Sequence, residues 1–109
     1  VIEELSGVGP LRAEPLVLTD IDGEVYGLPG HPVEFDCYVH DGRRFLVEVK
    51  SFARPEDVWM FSRKVRFAAR HLAEPFESVM IAPYARKRAV ELARQVGVQV
   101  LTLAEQAKK

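Results

Sequence analysis

Two short runs in this chain carry charged side chains at alternating positions: Val33-Glu34-Phe35-Asp36, and Glu48-Val49-Lys50 further on. Side chains along a β-strand point to opposite faces in turn. Glu34 and Asp36 therefore share one face of the first run, and Glu48 and Lys50 share one face of the second. If the runs pair as neighbouring strands, three carboxylates meet beside one ammonium, and like charges across a ladder are destabilising. A divalent cation removes that conflict. Carboxylate oxygens suit hard cations, so Mg²⁺ or Mn²⁺ with waters completing an octahedron is the expected cofactor. The chemistry of such a centre is activation of water and stabilisation of charge on a phosphorane-like transition state. Lys50 would orient the water or stabilise the same charge, and the electrostatic role suits an ammonium among carboxylates better.

The elements around these runs follow from periodicity and punctuation. Val1 to Leu5 reads as the last turn of a helix, ended by Gly7 and Gly9-Pro10. Leu16 to Ile21 reads as a strand closing at Asp22-Gly23, with Glu24 to Leu28 a short continuation before the Pro29-Gly30-His31-Pro32 loop. Val33 to Val39 and Arg44 to Lys50 alternate about Asp41-Gly42, the strongest hairpin signal in the chain. Pro55 suits a first helical position, with Glu56 and Asp57 in the first turn. Val58, Phe61, Val65, Ala68, Ala69 and Leu72 then recur at helical spacing until Pro75. Ser78 to Ala82 is a buried-type strand, Ala85 to Val96 a second amphipathic helix stopped by Gly97, and Val98 to Leu103 a last strand. The order (α)βββαβαβ implies an α/β fold, a mixed sheet with helices on both faces.

Parity sharpens the hairpin. Val33, Phe35, Cys37 and Val39 should face the core together with Phe45, Val47 and Val49, because register follows the buried face. A two-residue Asp41-Gly42 turn would set these rows on opposite faces. A three-residue loop of His40, Asp41 and Gly42, with Gly42 left-handed, aligns them. It also places Glu34 opposite Glu48, with Asp36 diagonal to it and Lys50 one step along.

Composition narrows the classes. With 109 residues there is room for one compact domain. At 48% hydrophobic content the chain is not of the disordered type, and no apolar run is long enough to span a bilayer. Nothing reads as a secretory leader, and the lone Cys37 excludes an internal disulfide framework or a cysteine zinc cluster. A cytoplasmic protein is expected, and the first residue, Val1, suggests a processed product or the C-terminal part of a longer protein. The net charge of -1 gives no global argument for nucleic acid. The charges are sorted, however, with acids concentrated before Asp57 and Arg63, Lys64, Arg66, Arg70, Arg86, Lys87 and Arg88 after it.

An Asp on one strand followed by Glu-X-Lys on the next resembles the PD-(D/E)XK nuclease superfamily. Asp36 matches the first element and Glu48-Val49-Lys50 the second. Phe35 stands where a Pro is usual. Glu34-Phe35-Asp36 is similar to the Glu-X-Asp variant of Holliday-junction and RecB-like members, although no Gln-X-X-X-Tyr motif follows Lys50. Val47-Glu48-Val49-Lys50-Ser51 with the Val79 to Thr102 tail is similar to archaeal proteins in which such a domain follows a coiled coil. The resemblance covers roughly residues 16 to 103. It implies a restriction-endonuclease-like core, metal held by Asp36, Glu48 and the Val49 carbonyl, a catalytic Lys50, a supporting Glu34, and an assisting acid on the first helix, Glu3 or Glu4. DNA is the implied substrate and RNA the alternative, with no membrane partner and homodimer formation left open.

Arg63, Arg66 and Arg70 form one stripe of the first long helix, a candidate track for phosphates against the simpler reading of a solvated face. Arg86-Lys87-Arg88 sits where the helix dipole disfavours cations and so invites an anion. His31, His40 and His71 have no spacing of a metal cage. Trp59 and Tyr84 read first as packing residues, with base stacking the less common use. Two functions from different classes follow: a Mg²⁺-dependent endonuclease-like domain acting on DNA, or a nuclease-fold module that binds nucleic acid or protein without cutting. A third reading, a generic α/β domain with exposed acids, requires Asp36 and Glu48 to lie far apart.

Overall fold

The computed structural model describes residues 12–102. The helical turn expected at Val1 to Leu5, and with it Glu3 and Glu4, lies outside the described residues. The elements run β1 (Arg12–Asp20), β2 (His31–His40), β3 (Arg44–Val49), β4 (Phe52–Ala53), α1 (Pro55–His71), β5 (Glu77–Ile81), β6 (Tyr84–Ala85), α2 (Lys87–Val96) and β7 (Gln99–Leu101). Apart from the two-residue strands β4 and β6, this is the order the periodicities predict. The main sheet is ordered β1-β2-β3-β5-β7, with β4 and β6 forming a second, two-stranded parallel pair. The first three strands are antiparallel, and β3, β5 and β7 are parallel, so the sheet is mixed.

The expectation of helices on both faces does not hold among the described residues. From β3 through α1 to β5, and from β5 through α2 to β7, the chain steps the same way across the sheet. Two right-handed crossovers that advance in one direction put both helices on one face. One core cluster accordingly holds Leu46 and Met80 from the sheet, Val58, Phe61 and Phe67 from α1, and Ala89 and Ala93 from α2. The other face is also apolar. Val47 and Val79 are buried there, and Ile81, Leu101 and Val49 are large and exposed.

The hairpin loop is three residues long, as parity requires, but its members are Asp41, Gly42 and Arg43, since His40 pairs with Arg44. Gly42 has φ of 95°, the positive value that glycine alone adopts without strain. The ladder continues Val39↔Phe45, Tyr38↔Leu46 and Cys37↔Val47. Glu34 is therefore not opposite Glu48; one further step in this register sets Asp36 there.

A bulge in β2 explains why simple alternation misassigns the faces. The β1–β2 register jumps from Glu14↔Tyr38 to Leu16↔Phe35, so Asp36 and Cys37 together oppose Pro15. Pro15 has no N–H to give to the ladder, and proline within a sheet is found at such irregularities. The extra residue turns the strand over. Val33 and Phe35 face the helices, 0% and 2% exposed, but after the bulge Tyr38 takes that face and packs on the core. Cys37 and Val39, expected beside them, pair with Val47 and Phe45 on the opposite face. In β3 it is Leu46 and Glu48, not Val49, that look into the helix-covered core. With apolar side chains on both of its faces, β3 carries no clean period-2 signal.

This inversion is measurable. Leu46→Ala should cost about 2–5 kcal/mol in denaturant unfolding, the usual range for truncating a buried leucine. Val49→Ala should stay within about 0.5 kcal/mol. A larger loss at Val49 than at Leu46 would mean that β3 is buried in the opposite sense.

Candidate functional site

Glu48 lies on a strand hydrogen-bonded on both sides, on the face that α1 covers, and is only 9% exposed. An isolated carboxylate is costly there. Its partner is Lys64, whose Nζ donates to Oε2 at 2.9 Å with both side chains nearly excluded from water. Lys64 falls at helical spacing between Phe61 and Ala68 on the buried stripe of α1, which fixes its direction toward the sheet. Its ammonium also stands 5.0 Å from the centre of the Phe35 ring, where the ring's negative face attracts a cation. The other oxygen, Oε1, is buried with no hydrogen-bond partner.

Asp36 reaches the same place from β2. Lys50 N–H donates to the Ile81 carbonyl at 2.9 Å, so alternate β3 donors point to β5 and the Val49 N–H points to β2. The β2–β3 ladder has ended by then, at Cys37↔Val47. Asp36 Oδ2 accepts that bond instead, at 2.8 Å. The bulge thus ties a carboxylate to the peptide between Glu48 and Val49, and Asp36 and Glu48 are neighbours rather than far apart. That excludes the reading of scattered exposed acids. The Cys37 thiol beside it is pushed above its ordinary value by burial and then by the Asp36 charge.

A third contribution comes from the loop after β1. Asp20 is fully buried, and its carboxylate accepts from the N–H groups of Glu24 at 2.9 Å and Val25 at 2.8 Å. Its carbonyl takes bonds from Gly23 and Gly30. Gly23 has φ of 74°, and a Cβ there would meet the Leu28 and Pro29 backbone at 3.0–3.1 Å, so this tight loop needs glycine. Arg63 pins the loop from the helix, donating to the carbonyls of Glu24 and Val25 at 2.8 and 2.9 Å, and Arg70 pairs with Glu24. The loop presents Tyr26, edge-on to His31 with ring centres 5.0 Å apart. Burial holds the Tyr26 phenol above its usual range, Glu48 and then Glu34 raise it further, and Lys50 opposes them. The Tyr26 hydroxyl therefore lies within the field of all three groups.

The predicted residues are thus gathered unequally. Asp36 accepts from the Val49 N–H, so its carboxylate lies beside the backbone that joins Glu48 to Lys50. Glu34 is exposed and influences Tyr26, but it does not join a cluster: among the described residues no three Asp, Glu, His or Cys side chains converge as a metal cage. The expectation that Glu34 stands opposite Glu48 is corrected by the Cys37↔Val47 register. Of the arginine stripe, Arg63 and Arg70 hold the Asp20 loop, while Arg66 lies over the Trp59 ring at 5.6 Å. Only Arg66 is without a hydrogen bond or ion pair within the described residues, so the stripe is mainly a structural clamp.

Lys64, Tyr26 and Asp20 escape sequence reasoning. Lys64 had a readable signal, since it occupies a core position of an otherwise apolar stripe. Asp20 stands two residues before Asp22-Gly23, and a short acidic side chain there commonly accepts from the backbone that follows. Tyr26 had no comparable signal.

Two carboxylates, one with an unpartnered buried oxygen, and an adjacent backbone carbonyl suit a small hard cation, which is commonly bound through one or two carboxylates with retained waters. The sequence pattern of the PD-(D/E)XK nuclease superfamily matches residues 31–99, which include Asp36, Glu48 and Lys50. None of the curated proteins matches the chain. Among solved structures the chain is similar to a repair endonuclease from Pyrococcus abyssi, with a TM-score of 0.57 and 22% identity. The match covers 64% of this chain and 32% of that endonuclease, so it spans about a third of the other protein's length. At that identity it is the fold that the likeness establishes, a restriction-endonuclease-like one.

The Glu48–Lys64 pair can be tested without activity. Lys64→Met leaves a buried carboxylate uncompensated and should cost about 3–5 kcal/mol of stability. Adding Glu48→Gln should recover most of that loss, giving a coupling energy of about 1–3 kcal/mol in a double-mutant cycle. Additive losses would mean that the two side chains do not interact.

Proposed function

Because the chain belongs to the PD-(D/E)XK nuclease superfamily, we propose that it hydrolyses phosphodiester bonds in DNA with the help of a divalent cation, Mg²⁺ or Mn²⁺. The observation that supports this reading is the Asp36 carboxylate bonded to the Val49 N–H, next in the chain to Glu48, whose Oε1 is buried without a partner. Asp36, Glu48 and the Val49 carbonyl would hold the cation. When bound, it supplies Lewis-acid stabilisation of the phosphate and activation of water.

The chain's own residues do the rest. The backbone bond from Val49 fixes the Asp36 carboxylate, so that little reorganisation is needed on binding. Lys64 neutralises Glu48 and keeps its side chain aimed along the helix-covered face. Lys50, two positions beyond Glu48, brings an ammonium to the charge that develops on the non-bridging phosphate oxygens, the role of a preorganised electrostatic donor. In the step itself a water oxygen bonds to phosphorus as one of its protons passes to solvent, one phosphorus–oxygen ester bond breaks, and the departing oxygen takes a proton from solvent. Glu34 and Tyr26 border the acids and would shape the approach of the strand.

A second reading has one observation in its favour: Lys64 occupies an oxygen of Glu48, as it would in a fold kept for binding alone. Cleavage assays separate the two. Wild-type protein should cut labelled single-stranded, duplex or branched DNA with Mg²⁺ or Mn²⁺. Glu48→Gln and Asp36→Asn should abolish cutting, and Lys50→Ala should slow it about 10²–10³-fold, the cost of removing one charge-stabilising donor. Cutting that survives Glu48→Gln and Lys50→Ala would refute the site. No cutting of any substrate, with DNA still bound, would favour the module.

A further inference from the structure

Beyond Lys50 the chain builds a feature that the hydrolytic reading does not use. Two residues on, Phe52 opens β4 and pairs in parallel with Tyr84 of β6, and Arg86 N–H donates to the Ala53 carbonyl at 3.0 Å. These strands follow β3 and β5 past their C-terminal ends. Phe52 can be no more than about 7 Å from Lys50, the reach of two residues. Between them and the start of the two helices lies a cleft of about 710 Å³, the volume of a site for one small ligand.

The lining is aromatic and cationic. Tyr84 is 48% exposed. The guanidiniums of Arg54 and Arg86 lie over the Phe52 ring at 5.0 and 5.6 Å. Lys87 and Arg88 complete the wall, and Glu56 is the carboxylate that lines it. Among the described residues Arg86, Lys87 and Arg88 form no ion pair, unlike Arg43, Arg44, Lys64 and Arg70. In a chain of net charge -1, three unpaired cations around an exposed ring make a local surplus with a defined geometry.

We infer that this cleft binds a single-stranded stretch of the polynucleotide, with a base on Tyr84 and its phosphates on Arg86, Lys87 and Arg88. The inference rests on the proposed hydrolysis for its place beside the scissile bond, but not for its chemistry. A base within a duplex already stacks on its neighbours and has no face to give to an isolated ring. An unpaired base does, and aromatic platforms beside cationic grooves are the sequence-tolerant way of holding one. A peptide of acidic residues would use the cations and leave the ring without a role. The substrate class is therefore one with unpaired nucleotides next to the cut, such as a single strand, a flap or an open junction.

Fluorescence anisotropy in EDTA tests this apart from catalysis, using labelled oligo-dT, oligo-U, a blunt duplex and poly-glutamate. The single strands should bind more tightly than the duplex. Tyr84→Ala should weaken them about 5- to 100-fold, and Tyr84→Trp should retain them. Arg88→Ala, on an exposed helical face, should lower affinity and reduce the salt dependence by about one unit of slope. Thermal melts confirm that each variant is folded, and Arg88→Ala carries the test if Tyr84→Ala is not. Comparison of oligo-dT with oligo-U tells DNA from RNA. Preference for the blunt duplex, unchanged single-strand binding in Tyr84→Ala and Arg88→Ala, or equally tight poly-glutamate would overturn the inference. Tyr84-dependent binding without any cleavage would leave the cleft standing and remove the hydrolysis. Cleavage with no dependence on Tyr84 or Arg88 would do the reverse.

Discussion

A carboxylate nine-tenths buried on a central strand constrains everything around it. Glu48 cannot be solvated where it stands, and its attraction to Lys64 must offset two desolvations at once. That requirement places a lysine on the apolar stripe of α1 and a ring, Phe35, beneath the ammonium. It leaves one Glu48 oxygen without a partner, which is an expensive arrangement for stability alone. An apolar residue of similar size would fill the same space at less cost. The proposed cation site gives that oxygen a partner.

The second constraint is the missing N–H of Pro15. It interrupts the ladder between β1 and β2, and the bulge opposite turns β2 over between Phe35 and Tyr38. The same irregularity lets the strand bury Val33 and Phe35 near one end and Tyr38 near the other. It also directs the Asp36 side chain into the gap where the β2–β3 ladder has stopped. The loop built on Asp20 and clamped by Arg63 then closes the site from the β1 side. Structure and site are joined here, because the residues that position Tyr26 are also those that satisfy the loop backbone.

Much of this was legible in the sequence. Asp36 and Glu48-Val49-Lys50 announced themselves by type and spacing, and the order of strands and long helices followed from periodicity. The odd length of the hairpin loop followed from parity. Its register did not, because parity fixes only odd against even, and a shift by two exchanges Glu34 for Asp36 opposite Glu48. The faces of β3 do not follow from alternation for a physical reason: Phe45, Val47 and Val49 alternate with Leu46 and Glu48, so apolar side chains stand on both faces of the strand. Leu46 between Arg44 and Glu48 was the discordant residue that could have warned of it. The arginine stripe was visible as a pattern, but whether it meets phosphate or protein depends on the fold of the loop at 21–30, which no local signal encodes.

Asp36, Glu48 and the Val49 carbonyl are proposed to form one cation site. A crystal soaked in Mn²⁺ tests it directly by anomalous scattering. The expected result is a single peak about 2.1 Å from an oxygen of each, absent in Glu48→Gln. A peak elsewhere, or none while Asp36 stays bonded to Val49 N–H and Glu48 to Lys64, would contradict the account.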